Sequence, residues 1–478
     1  MNQEDNRNVF HGDMEDPAED EDPRVYAVAE TSLVNETQAN KGETTPVKRT
    51  RRIILTALIV VMIAVVAAVV GVTLGSKNST SQEQEAPPSS FESETSEERK
   101  NLTSFIKSKS PSTTFTDDSS PQSQALEWML KDAYTRFNVS DEDHLLQRFA
   151  LATLWYSLAS HSTSESQWLT PTSECEWDNT TIVCNATTGR TTELYLNNSG
   201  YTGHFPPEIG LLTDLSRLDA RENMLYGNIP STIGEVTRLT LFNLWKNHLT
   251  GSIPVEVGRL SKLTRLDFAE NDLTDTVPTE VYQLTDLTYL NVYKNTLEGS
   301  TVTEIGLLTQ LTELALSVNS FSGSLPSELF LLTRLRQLSV DSSGMNGTVP
   351  SGLGQLTNLS SLSIAGNDFS GTVPSEVGSL SRLKYFDLSD NKLMGTLPTN
   401  IGYLSLLNWL RVDSNQISGP LPSELGLLVE LEFLYLDRTR LSGTIPPVLC
   451  SSAVQFVVDC RRITCSCCVA PDGLTSCS

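Results

Sequence analysis

The residues able to carry chemistry in this 478-residue chain fall into three sets: eight cysteines, five histidines, and aromatic, arginine and carboxylate side chains recurring at fixed intervals. Hydrolysis or group transfer needs a nucleophile, a base and an orienting group at set spacings, and no G-x-S-x-G, H-E-x-x-H or phosphate-loop pattern occurs. The histidines are scattered, and acid pairs such as Asp267 and Glu270 fit a solvated strand face better than a closed pocket with shifted pKa values. No enzyme and no cofactor are expected. A formal charge of −24 excludes a nucleic-acid binder, because phosphate recognition needs a basic surface. Cys175, Cys184, Cys450, Cys460, Cys465, Cys467, Cys468 and Cys477 cluster at the two ends of the third set and fit disulfides in a secreted environment. Zinc is the competing reading for Cys465, Cys467 and Cys468, although their spacing lacks separated C-x2-C pairs and no His lies nearby; no metal site is expected.

The element that positions the third set is a repeat. Asn223, Asn247, Asn271, Asn295, Asn319, Asn367, Asn391 and Asn415 fall on one 24-residue register, and Ser199, Ser343 and Thr439 take the same place in three further coils, eleven in all. Relative to each Asn, apolar residues recur at −8, −5, −3 and +2, with Gly at +4 and Pro at +7. L-x-L alternation makes a short strand with its leucines inward, and the other leucines belong to the returning side of the coil. One coil cannot cover these side chains, so coils stack and share a core. The Asn amide can satisfy backbone groups where the chain turns out of the strand. Gly permits tight geometry and Pro stiffens the extended segment. Asp275 in place of Gly, Val302 in place of Pro, and Ser343 and Thr439 in place of Asn disturb this locally.

The positions −6, −4, −2 and −1 from each Asn alternate outward and line a concave sheet. One group there includes Arg217, Trp245, Arg265, Tyr289 and Tyr293. A second comprises Tyr385, Asp387, Trp409, Arg411, Asp413, Phe433, Tyr435, Asp437 and Arg438. Between them runs a stretch of small residues, Ala315, Ser317, Ser339, Ser363, Ala365 and Gly366. Aromatic residues with arginine are the usual composition of binding hot spots. Cross-strand pairs that stabilise the sheet would look the same.

The L-x-G-x-I-P-x-E-I-G pattern, as in GNIPSTIGEV, GSIPVEVGRL and GTVPSEVGSL, resembles the plant-type leucine-rich repeats of receptor-like kinases, receptor-like proteins and secreted polygalacturonase inhibitors. WLTPTSECEWDNTTIVC is similar to the N-terminal cap of that class, which implies a Cys175–Cys184 bond. HLLQRFALATLWYS and the cysteine-rich 449–468 segment resemble caps in membrane-anchored leucine-rich-repeat proteins of diatom-type algae. The resemblance implies an α/β solenoid: a right-handed superhelix of about eleven coils with a parallel concave sheet, a helical N-terminal cap and a disulfide-rich C-terminal cap. It implies a receptor-like ectodomain that binds a glycan, peptide or protein and signals, if at all, through a partner such as a co-receptor. An adhesion or cell-covering protein is the alternative, and an inhibitor of extracellular hydrolases a second. Unlike receptor kinases of this kind, the chain places an apolar run before the repeats and shows no kinase.

That run, residues 53–74, has 22 residues without a charge, about 33 Å as a helix, and is expected to be a transmembrane signal anchor. Lys48, Arg49, Arg51 and Arg52 precede it, which puts the N-terminus in the cytoplasm and the C-terminus outside, at the plasma membrane in preference to an endomembrane. Sequons at Asn101, Asn138, Asn179, Asn185, Asn197, Asn346 and Asn358 lie on the outer side. The expected organisation is a disordered acidic tail (1–52), the anchor (53–74), an extended Ser/Thr/Glu/Pro-rich stalk (75–123), a helical, Cys-containing cap (124–190), the repeats (191–447) and a Cys-rich cap (448–478). Within the first cap, Ser140 is expected to open a helix whose stripe is Leu145, Leu146, Phe149, Ala150, Leu154 and Trp155.

Overall fold

The computed structural model describes residues 90–138, 141–158, 168–450, 454–465 and 476–477. The expected acidic tail and the expected anchor at 53–74 lie outside them. No helix among the described residues is long and apolar enough to cross a membrane.

The coil around Asn271 shows how the sequence winds. Its inner strand is Arg265–Asp267, its outer strand Asp272–Thr274, and Pro278 then opens a 3₁₀ turn, Thr279–Gln283. Leu263, Leu266, Phe268, Leu273, Val281 and Leu284 are all buried. Fully burying a side chain of this size stabilises by about 1.5–3 kcal/mol, and the covering surface comes mostly from the coils on either side. The inner strands form a sheet of 14 among the described residues, in which Ile182–Cys184 runs antiparallel to Thr191–Tyr195 and the other 13 are parallel. The 24-residue register is kept along it: Leu218, Phe242, Leu266 and Leu290 are successive neighbours.

The Asn ladder closes the end of each inner strand. Asn271 Nδ2 donates to the carbonyls of Leu244, Phe268 and Ala269, and its Oδ1 accepts from Leu249 N. The residue before the Asn turns left-handed, with φ of 58° at Lys246, 50° at Glu270 and 54° at Lys294. The departures are absorbed locally. Asp275 keeps the left-handed turn of the glycine it replaces (φ 63°), and Val302 still caps its 3₁₀ turn at φ −101°. At the repeat glycine a second constraint joins the backbone angle: a Cβ on Gly395 would sit 2.8 Å from the Thr372 methyl one coil back.

From residue 90 on, the described part of the expected 75–123 stalk is not extended. It contains a helix, Ser90–Lys109, whose Ile106 is buried with Ala125, Leu126, Met129, Phe149 and Ala152. The stripe that anchors it, Leu102, Phe105 and Ile106, is narrow on a helix otherwise rich in Ser, Glu and Lys, so composition hides it. The cap therefore begins well before residue 124. The next helix, Pro121–Lys131, is capped by Ser120, which accepts from Ser123 N. The helix Glu142–Leu158 has Asp141, whose carboxylate accepts from Asp143 N, at its start; Ser140 is not among the described residues. It is buried from Leu146 to Leu154 on every side, wider than one stripe, because it lies between the preceding helices and the first coil. Arg148 is fully buried there, paired with Asp132 at 2.8 Å and Glu174 at 3.0 Å and enclosed by the rings of Trp128, Tyr134 and Trp177. Cys175 and Cys184 are bonded to each other. Cys450, Cys460 and Cys465 are also disulfide-bonded. Cys477 lies on a short strand, Ser476–Cys477, while Cys467 and Cys468 fall outside the described residues.

Candidate ligand-binding face

Because the register is constant, each inner position forms a column along the concave sheet. In the −6 column, Tyr385, Trp409 and Phe433 are direct cross-strand partners. Trp409 is the centre of a ring cluster, with centroids 5.8 Å from Tyr385, 4.2 Å from Phe433 and 5.5 Å from Tyr435. Its indole Nε1 is enclosed without an acceptor. Beside the rings runs an ion-pair chain. Arg411 Nε is 3.2 Å from Asp413 Oδ1, its Nη1 is 3.6 Å from Asp387, and its guanidinium lies over the Tyr435 ring at 5.1 Å. Arg438 reaches Asp413 at 3.1 Å and Asp437 at 3.2 Å.

The group that begins at Arg217 is a separate cluster nearer the N-terminal cap. Arg265 stacks on Tyr289 at 3.6 Å, and the Tyr289 hydroxyl donates to Asp267. Trp245 Nε1 donates to Glu270, and Lys246 and Lys294 form a ladder of pairs with Glu222 and Glu270. Arg217 lies near Glu193 and above the Tyr195 ring, and Tyr293 is buried. The structure thus brings the nine residues from Tyr385 to Arg438 into one surface and keeps the earlier group apart from it.

Asp267 corrects the expectation of a solvated face. It is 4 % exposed, as is Asp387, and Asp413 is 1 % exposed. Arg265, two residues earlier, and Tyr289, on the next strand, close over the Asp267 carboxylate. Burial pushes the Asp267 carboxyl up against the pull of Arg265. It likewise pushes Asp387 up to about 6, opposed by Arg411 and by hydrogen bonds from Ser389. The hydroxyl of Tyr293 is driven to about 12, by burial and then by Glu270 and Asp341. Such shifts accompany ion pairs on a packed sheet as readily as catalysis.

The floor between the clusters holds one residue that the sequence reading did not single out, Asp341. The hydroxyls of Ser317 and Ser339 each donate to Asp341 Oδ2 at 2.8 Å, while Asp341 Oδ1 is enclosed without a hydrogen bond. Asp341 occupies the −2 column, the one signal that could have marked it. Among the sequons, Asn101, Asn179, Asn185 and Asn346 are exposed, Asn197 and Asn358 are half-buried, and the Asn138 side chain is outside the described set.

Comparison with known proteins agrees with this architecture. Residues 242–374 match a leucine-rich repeat region, and residues 382–404 and 430–452 match the leucine-rich repeat. No curated protein matches the chain in sequence. Among solved structures, it is similar to the plant peptide hormone receptor RGFR1 in complex with RGF2, with 32% identity, 55% of this chain and 46% of that chain covered, and a TM-score of 0.52. It is similar to the Arabidopsis receptor kinase HAESA ectodomain with an IDA peptide hormone (27%, 66% and 53%, 0.58). HAESA in complex with IDA and the co-receptor SERK1 gives 26%, 66% and 58%, and 0.55. The chain spans about half the length of these receptor chains. It carries a leucine-rich-repeat solenoid whose structure is similar to plant receptor ectodomains.

Proposed function

We propose that this chain is a receptor-like ligand-recognition protein that binds an extended peptide along its concave face and signals, if at all, through a partner protein. The observation that supports this reading most is the continuous aromatic and ion-pair surface from Tyr385 to Arg438, on the inner face of a solenoid similar to receptors solved with peptide hormones. Between the Tyr289 and Phe433 strands lie six inter-strand steps of about 4.8 Å, a span for a peptide of roughly eight or nine extended residues. Tyr435 and Phe433 supply ring surface, and Arg438, the more exposed of the two arginines, can meet a ligand carboxylate or carbonyl. In this reading the 53–74 segment anchors the chain, the solenoid faces outward, and the outer sequons carry glycans.

The test is to pan a random 12-residue peptide library on the full chain and measure the selected peptides against Phe433→Ala and Tyr435→Ala. Each substitution is expected to weaken binding by about 2 kcal/mol, as at interface hot spots, with cooperative melting retained. Enriched peptides whose affinity ignores both substitutions would move the site elsewhere.

A further inference from the structure

The repeat offers an internal standard for the floor of the face. Asp413 is held by two guanidiniums, Arg411 on its own strand at 3.2 Å and Arg438 on the next coil at 3.1 Å. Three coils earlier, 72 residues back, the corresponding residues are Asp341, Ser339 and Gly366. The carboxylate is kept and both cations are replaced by small residues. Among the described residues Asp341 forms no ion pair with Lys, Arg or His. Its Oδ2 is fixed by Ser317 and Ser339, and its Oδ1, enclosed, accepts nothing. An enclosed carboxylate oxygen without a donor costs stability unless a partner arrives.

The surroundings suit a cation. Ser339 and Gly366 stand where Arg411 and Arg438 stand three coils on, and Ala315 and Ala365 stand where Asp387 and Asp437 do, so no large side chain and no second acid occupies these places. Tyr293 and Tyr385 stand two coils away, one on either side, and cations stack favourably on such rings. The field is negative there: after burial, which dominates, the charge of Asp341 contributes to raising the hydroxyls of both Tyr293 and Tyr385 and the carboxyl of Asp387.

We propose that the floor of the face at Asp341 is a guanidinium subsite, in which an arginine side chain of the bound peptide takes the place that Arg411 and Arg438 take at Asp413. This rests on the peptide-binding reading above and names the ligand class it selects. The repeat also supplies the variant that fills the site. Gly366 has φ +63° and Arg438, its equivalent, has φ 51°, so the backbone that would carry Gly366→Arg already carries arginine elsewhere in the chain. A Cβ there meets the Ser342 hydroxyl at 2.7 Å, the end of a short side chain that can rotate away.

The experiment uses the 12-residue library on the full chain, with the best arginine-containing binder resynthesised with citrulline at each arginine in turn. Arginine is expected at one fixed position of the selected peptides. Replacing it by citrulline should weaken binding at least 10-fold to the wild type, but less than 2-fold to Asp341→Asn. Gly366→Arg should melt normally and bind the arginine peptide at least 10-fold more weakly. Peptides that depend on Phe433 and Tyr435 but show no arginine position, or whose citrulline effect is the same in Asp341→Asn, would overturn the subsite and leave the peptide reading standing. A library from which nothing is enriched would overturn both.

Discussion

Replacing Asn271 with alanine tests how the inner sheet is held, and the structure allows its cost to be worked bond by bond. The amide makes four hydrogen bonds, yet its three acceptors are shared. The Leu244 carbonyl keeps a bond from Asn247 Nδ2, the Phe268 carbonyl one from Asn295 Nδ2, and the Ala269 carbonyl one from Lys246 N. The Leu249 N–H, which donates to Asn271 Oδ1 at 3.0 Å, loses its acceptor inside the protein. One orphaned buried donor costs about 1–3 kcal/mol, and the loss of three redundant bonds adds about 1 kcal/mol, so the expected destabilisation is about 2–4 kcal/mol. Four independently orphaned groups would cost roughly twice that or more. Urea unfolding followed by tryptophan fluorescence gives the total, and amide exchange at Leu249 locates it. A loss below 1 kcal/mol, or unchanged protection at Leu249, would refute the ladder as the strand-end brace. A loss above about 6 kcal/mol would show that the acceptors are not shared as described.

Trp409→Ala should itself destabilise the C-terminal coils by about 2–3 kcal/mol, because three ring contacts of about 0.5–1.5 kcal/mol each are lost; a variant with wild-type urea stability would show that the indole is a free platform. Asp387 has its folded pKa raised from 3.8 to about 6, so the folded state holds the proton more tightly and stability falls as pH rises from about 4 through 6, by about 3 kcal/mol at most. Asp387→Asn should flatten that slope in denaturation at pH 4.5 and 7, and an unchanged slope would assign it to other groups. Arg148→Ala leaves Asp132 and Glu174 buried without their cation and should cost about 3–5 kcal/mol in thermal or urea unfolding; a loss under 1 kcal/mol would mean the helical cap does not depend on the pair.

The sequence by itself determined the solenoid. A 24-residue register of Leu, Asn, Gly and Pro leaves few ways to bury the leucines, because local turn chemistry and the stacking of identical coils demand the same geometry. For the same reason the columns of the concave face could be assigned, and Tyr385, Trp409 and Phe433 do stand side by side. What only the tertiary structure decided depends on what neighbouring strands and coils contribute. Asp267 and Asp387 are buried because side chains two residues or one coil away close over them, and no periodicity reports that. The 90–109 helix was hidden because its anchoring stripe is three apolar residues in a polar run, and their partners lie on other helices. In the sequence Asp341 is one acid among small residues and was not singled out. Its distinction is the absence of the two cations that hold Asp413, and that comparison acquires physical meaning only when the stacked coils show that Arg411 and Arg438 meet on one carboxylate.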